Sequence, residues 1–243
     1  MLWSLSSIHL GILRRVAASH TSKTRTNNLS QTRYDYFTAP SGVPSINNEE
    51  DAAISAEACL PALESKLDDY NAFLICCYSQ HPLVSRLRDL LAKEGKPRTL
   101  VTGIFEASVA TCLQLTTPSK EKFGIVSTGK QWEDILDEAV ADVLGAESSP
   151  RYAGTETTGL NADELHVVPK ADLDALMSEA TKRVLGKGAR AVCLGCAGMA
   201  GMEEVVGAAS VELLGREEGG QVRVVDGVVS GVAFLEGALR TNL

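Results

Sequence analysis

The sequence predicts an α/β protein built on mainly parallel sheets flanked by helices, and three observations carry that reading. Short aliphatic runs alternate with helical spacings along most of the chain, and alternation of this kind feeds parallel strands through crossover helices. The composition is 44% hydrophobic with only 5% aromatic residues and 21 Gly, a texture of α/β packing rather than of a β-sandwich. A strand–cysteine–turn unit also occurs twice. Phe73-Leu74-Ile75-Cys76-Cys77 runs into Tyr78-Ser79-Gln80-His81-Pro82, and Ala191-Val192-Cys193-Leu194-Gly195-Cys196 runs into Ala197-Gly198-Met199. The repetition suggests two similar lobes, which 243 residues are enough to build.

Taken in order, Tyr36–Pro40 reads as a strand end and 41–45 as an irregular loop. Residues 48–67 carry helical spacing, with Pro61 expected to kink or restart the helix. The strand 72–77 follows, then a helix from Pro82, a residue suited to a first turn, to Gly95. Next come strand 98–103, helix 106–115, strand 122–127, and helix 132–144 stopped by Gly145. Residues 146–165 lack pattern, and Gly154–Gly159 reads as loop around a short strand. A helix over 171–185, the second cysteine strand over 189–195, a helix or loop from 198 to 207, strand 222–225 and helix 228–239 complete the chain.

Charge and cysteine usage exclude several classes. The net charge of −8 offers no footprint for nucleic acid, and no apolar stretch approaches bilayer-spanning length. Six cysteines, two of them adjacent, are too unevenly spread for a disulfide scaffold and favour a reducing compartment. The front of the chain is different. Residues 1–34 hold five Lys or Arg and no acid, the first acid being Asp35. With its apolar stretch from Ile8 to Val16 this start has the composition of a mitochondrial presequence, a tail outside the fold being the plainer reading. A cytoplasmic location is therefore expected, or a mitochondrial one if the segment is a presequence.

Strand-end positions are where open α/β sheets bind ligands, which makes Cys77 and Cys196 candidates for chemistry. On residue type alone they are as well explained by packing, because free cysteine is among the most buried residues. Cys76 and Cys193 read as core. Cys193 and Cys196 form a CxxC, but no second CxxC or His pair completes a zinc site.

Several segments together match a known family. They are Thr38-Ala39-Pro40 with Pro44-Ser45-Ile46, Glu57-Ala58-Cys59-Leu60-Pro61, Cys77-Tyr78-Ser79-Gln80-His81-Pro82-Leu83, Val101-Thr102-Gly103-Ile104-Phe105-Glu106-Ala107-Ser108, Gly195-Cys196-Ala197-Gly198-Met199 and Val225-Asp226-Gly227. The chain resembles the Asp/Glu/hydantoin racemase superfamily in its hydantoin/allantoin racemase branch, close to a fungal group associated with nitrogen catabolism. The resemblance implies two lobes with the active site in the cleft between them, residues 35–117 with 218–243 in the first and 118–217 in the second. It implies cofactor-independent racemisation of a small hydantoin-like molecule, with one catalytic cysteine, Cys77 or Cys196, from each lobe. It gives no role to a metal, nucleic acid or membrane, and leaves a homo-oligomer open.

Inverting a carbon centre requires a base on one face and an acid on the other, and a thiolate–thiol pair supplies both. One thiol must be favoured as thiolate by a helix N-terminus or backbone N–H groups. The turns at Tyr78-Ser79 and Ala197-Gly198 offer such groups and are expected to bind substrate, as is the Thr128 hydroxyl, whose bland role is an N-cap. His81 is expected either to tune Cys77 or to cap the turn, and Glu106 either to be a buried carboxylate or an ordinary first-turn acid. Amino-acid racemisation, dicarboxylate cis–trans isomerisation with Cys77 as nucleophile, and a catalytically inactive binding relative are the alternatives. The family's usual front unit is missing. Its nearest echo, His20-Thr21-Ser22-Lys23, lies too close to the strand at Tyr36 for a parallel crossover, so residues 1–34 are expected not to complete the first lobe.

Overall fold

The computed structural model describes residues 9–16 and 31–241. Its elements run β1 (His9–Val16), β2 (Gln31–Thr38), α1 (Glu49–Glu64), β3 (Ala72–Ile75), α2 (Pro82–Lys93), β4 (Leu100–Gly103), α3 (Ile104–Leu115), β5 (Lys122–Ser127), α4 (Trp132–Leu144), β6 (Tyr152–Thr157), α5 (Lys170–Gly186), β7 (Ala189–Leu194), α6 (Glu203–Gly219), β8 (Arg223–Asp226) and α7 (Gly227–Thr241). Two short 3-10 turns occur, Glu164–His166 before α5 and Ala197–Met199 after β7. The strands form two four-stranded sheets, ordered β2-β1-β3-β4 and β6-β5-β7-β8. This is the α/β architecture the alternation predicts.

The second sheet is parallel throughout. Helices cover such a sheet on both faces, so its central strands read as continuous apolar runs, and β5 and β7 are buried almost end to end. In the first sheet β3 and β4 are parallel, with Ala72 opposite Leu100 and Ile75 opposite Gly103.

The front of the chain departs from expectation. Strand β1 lies inside the first sheet, antiparallel to β2 on one side and to β3 on the other. The crossover argument excludes a parallel strand here, but not this one. An antiparallel neighbour requires no crossover of the kind a parallel one does, so that argument does not bear on β1. Residues 9–16 and 31–34 thus belong to the first lobe's sheet, and the remainder of 1–34 lies outside the described residues.

The return at the other end also differs. The expected first lobe includes residues 218–243, yet β8 pairs with β7 in the second sheet. Only α7 crosses back, against α3, β3 and β4. Gly231 meets the Leu74 side chain so closely that a β-carbon there would lie 2.4 Å from Leu74 Cδ1. The lobes share one buried cluster, in which Leu74, Phe105 and Cys112 meet Phe123, Cys193 and Val225. The Sγ atoms of Cys112 and Cys193 sit 3.2 Å apart across it.

Smaller differences have local causes. Helix α1 continues through Pro61. Strand β6 is longer than the loop-like sequence suggests, because side chains from neighbouring helices hold it: Arg183 and Lys187 pair with Glu156, and Thr157 donates to Glu133. Helix α6 extends well past Gly207 and kinks at Gly215, whose φ is +81°.

Candidate active site

The first thiol stands just beyond β3. The strand is fully buried, and the loop that leaves it turns into α2 at Pro82. His81 makes that turn: its Nδ1 accepts the Leu83 N–H at 3.2 Å, capping the helix. The imidazole is 2% exposed and its Nε2 is buried without a partner. Burial, helped by the Arg86 charge, pushes its pKa down to about 4, so it stays neutral near pH 7. Of the two roles expected for His81, the structure shows the cap.

Cys77 is half-buried, with Sγ 3.5 Å from the Ser79 hydroxyl. Burial pushes its thiol up to about 12, the Ser79 hydroxyl opposes this, and the charges of Cys196, Cys76 and Glu106 add to it. Cys196 is thus near enough for its charge to be felt at Cys77. The second thiol follows β7 and Gly195. Its Sγ caps the 3-10 turn by accepting the Gly198 N–H at 3.4 Å. Burial raises its pKa, and that N–H counteracts the rise. Each thiol therefore leaves the carboxyl end of a strand in a different sheet, beside one donor suited to a thiolate.

Gly195 sets the position of the second thiol. A β-carbon there would lie 2.8 Å from Ile125 Cγ2, Ser127 Cβ and Val126 O together, and the Gly195 carbonyl accepts from the Ser127 hydroxyl at 2.8 Å. Gly195→Ala is expected to cost about 1–3 kcal/mol through overpacking. Thermal unfolding should show this as a loss of about 2–4 °C for each kcal/mol, and an unchanged Tm would contradict the packing described.

The other expected residues divide. Tyr78 turns its ring into the core between the lobes, 5% exposed and edge-on to Phe105 at 5.7 Å. Its hydroxyl meets the Ser108 hydroxyl at 2.9 Å. The side chain is thus committed to packing, which leaves only its backbone for the substrate role. The Ser79 N–H donates to the Cys77 carbonyl at 3.1 Å, so Ser79 serves the thiol through its hydroxyl instead. Ala197 and Gly198 form the turn that Cys196 caps. Thr128 is buried just past β5, and its carbonyl accepts the Gly159 N–H at 3.0 Å. It is not the N-cap of α4, a position held by Gln131.

Glu106 lies in the first turn of α3. Burial pushes its carboxyl up, against the Glu106 and Gly103 backbone N–H groups and the Arg88 charge. Its Oε2 is buried without a hydrogen-bond partner. A groove of ≈ 320 Å³ beside the Cys77 loop is lined by Asn48, Glu49, Ser79, Gln80, Trp132 and Glu138 among others.

One residue at the site escaped the sequence reading. His166 Nε2 lies 3.4 Å from the point a Gly198 β-carbon would occupy, and Cys196 Sγ lies 3.6 Å from that same point. His166 lies just past the patternless stretch 146–165, where no spacing marks it. Among the described residues no group of three or more His, Cys, Asp or Glu is placed to hold a metal, and no helix is long and apolar enough to cross a membrane.

The Asp/Glu/Hydantoin racemase family model matches residues 16–235, most of the chain. The chain belongs to that family. An uncharacterized protein of Schizosaccharomyces pombe is 34% identical over 211 residues, covering 86% of this chain and 80% of its own. A hydantoin racemase of a Pseudomonas species is 28% identical over 196 residues, 80% of this chain and 69% of its own. Among solved structures, the allantoin racemase from Pseudomonas fluorescens shares the fold at a TM-score of 0.65. That structure is 23% identical, and the match covers 85% of this chain and 78% of that one. Family membership makes the protein an isomerase of the racemase type.

Proposed function

We propose that the protein racemises a hydantoin-like ring, allantoin or a 5-substituted hydantoin, by proton abstraction at one cysteine and return from the other. The observation that carries this reading is that two half-buried thiols leave the ends of strands in two sheets, each with its own hydrogen-bond donor, with the charge of Cys196 felt at Cys77. The Cα–H of such a ring is acidified by the adjacent carbonyl, and its removal gives a planar enolate. A thiolate on one face takes that proton, and the thiol on the other face delivers its own. The Cys196 charge raises the Cys77 thiol, which disfavours ionisation of both at once, and one thiolate is the state the reaction needs in either direction. The Ser79 hydroxyl and Gly198 N–H stabilise whichever sulfur carries the charge.

Glu106 supports a ring rich in N–H groups over a carboxylate substrate. Its buried, unpartnered Oε2 is an acceptor, and its charge acts against a second anion near Cys77. Cysteine usage suited to a reducing compartment supports a cytoplasmic location. Chiral chromatography of enantiopure allantoin and a panel of 5-substituted hydantoins, with glutamate and aspartate alongside, tests the reading. Loss of optical purity in a hydantoin-type ring is expected. Turnover of the amino acids alone would replace the substrate class, and no turnover of any kind would favour a binding role.

The raised thiols also fix the sign of the pH dependence. The active form carries one thiolate, and burial keeps both sulfurs protonated beyond the free-cysteine value of about 8.5. The value of kcat/KM should therefore climb with pH and still be climbing above about pH 8.5. A profile flat from about pH 6 to 9 would show that a thiolate is already present at neutrality.

A further inference from the structure

We propose that His166 is a positioning residue for Cys196, exchanging a proton with its thiol and connecting that thiol to solvent. Three observations lead there. His166 Nε2 and Cys196 Sγ flank the same point above Gly198, at 3.4 and 3.6 Å, and the missing side chain of Gly198 leaves that point open. The turn carrying the imidazole is anchored, because Leu165 is buried in the same cluster as Met199 and Cys196. His166 itself is exposed, so it reaches water where Cys196 is largely covered.

The step balances without a further reactant. As the exposed imidazole swings over Gly198 to the sulfur, the Sγ–H bond breaks with its electron pair left on sulfur, and the proton forms a bond with the lone pair of Nε2. A neutral thiol and imidazole become a thiolate and an imidazolium, and the reverse transfer restores them. Histidine is the side chain suited to such exchange near neutral pH. In the two-thiol cycle, Cys196 ends one direction of turnover holding the substrate's proton, and it must release a proton before the next. The exposed imidazole gives that proton a route.

Among the described side chains Cys77 has no equivalent. The only histidine on its loop, His81, has Nδ1 occupied by the Leu83 N–H and Nε2 enclosed. Among the described side chains, then, Cys196 is the thiol with an exposed imidazole beside it. The catalytic meaning rests on the racemase reading, while the coupling between His166 and Cys196 does not.

Alkylation with iodoacetamide, followed by mass spectrometry of the peptides carrying Cys77 and Cys196, measures the coupling on the full chain without any substrate. His166→Gln is expected to slow modification of Cys196 about tenfold, the effect of one unit in thiolate pKa, and to leave Cys77 unchanged. His166→Ala should be slow likewise and regain its rate when imidazole is added to the solution. Cys196 reacting at the wild-type rate in His166→Gln, or both cysteines slowing together, overturns the proposal. If the wild-type protein racemises no hydantoin while Cys196 still slows in His166→Gln, the coupling stands and only the substrate reading fails.

Discussion

Cys77→Ala and Cys196→Ala are each expected to abolish racemisation, by at least about 10³-fold in kcat/KM, while the protein remains folded. General acid–base groups contribute about 10²–10⁴-fold when removed singly, and here neither has a substitute on its own face. Neither substitution should unfold the chain. Both sulfurs are half-buried at strand ends, not in the fully enclosed core that holds Cys193 and Cys112. The serine variants separate the two faces. With Cys77→Ser the remaining thiol can still exchange one enantiomer's Cα proton with deuterium from solvent, and with Cys196→Ser the other enantiomer exchanges. Proton NMR in deuterium oxide reads this directly. Undiminished racemisation by either alanine variant would end the two-base assignment.

Removal of residues 1–30 is expected to disrupt the first lobe. Strand β1 is interior, pairing with β3 from Leu10 opposite Ile75 to Leu13 opposite Ala72, and with β2 along its whole length. Without it β3 becomes an edge beside the cysteine loop and β2 loses its partner. Each broken backbone hydrogen bond costs about 1 kcal/mol, more where a buried group stays unpaired. The sum approaches the 5–15 kcal/mol that a typical domain has in total, so the effect should be large. Hydrogen exchange would show it as lost protection in Phe73–Ile75, with β5 and β7 of the second sheet still protected. A truncated chain with wild-type exchange and activity would mean that β1 adds nothing to the lobe.

Where the sequence reading worked and where it failed follows from the range of the forces involved. The helix over 132–144 and its stop at Gly145 are local, and Gly145 takes the left-handed conformation that ends a helix. The cysteine strands 72–77 and 189–195 announce themselves by aliphatic runs breaking at turns. The His81 cap was one of two open roles, and the geometry of a His before Pro82 decided it. Tyr78 could not be placed from its neighbours, because the ring's partner is Phe105 on another helix. His166 was invisible for the same reason, being defined by its distance to Gly198 and by nothing near it in the chain.

By itself the sequence determined the α/β class, most strands and helices, and the strand-end positions of Cys77 and Cys196, because periodicity, turn residues and strand ends are written locally. Tertiary structure alone decided three things. It made β1 an antiparallel interior strand, since strand direction depends on which edge is free to pair and not on the strand's own residues. It sent β8 to the second sheet and α7 to the first lobe, since β8 joins the open edge of β7 while α7 finds its packing surface on α3 and Leu74. And it set His166 and Cys196 around the same point above Gly198, a proximity that carries no spacing in sequence.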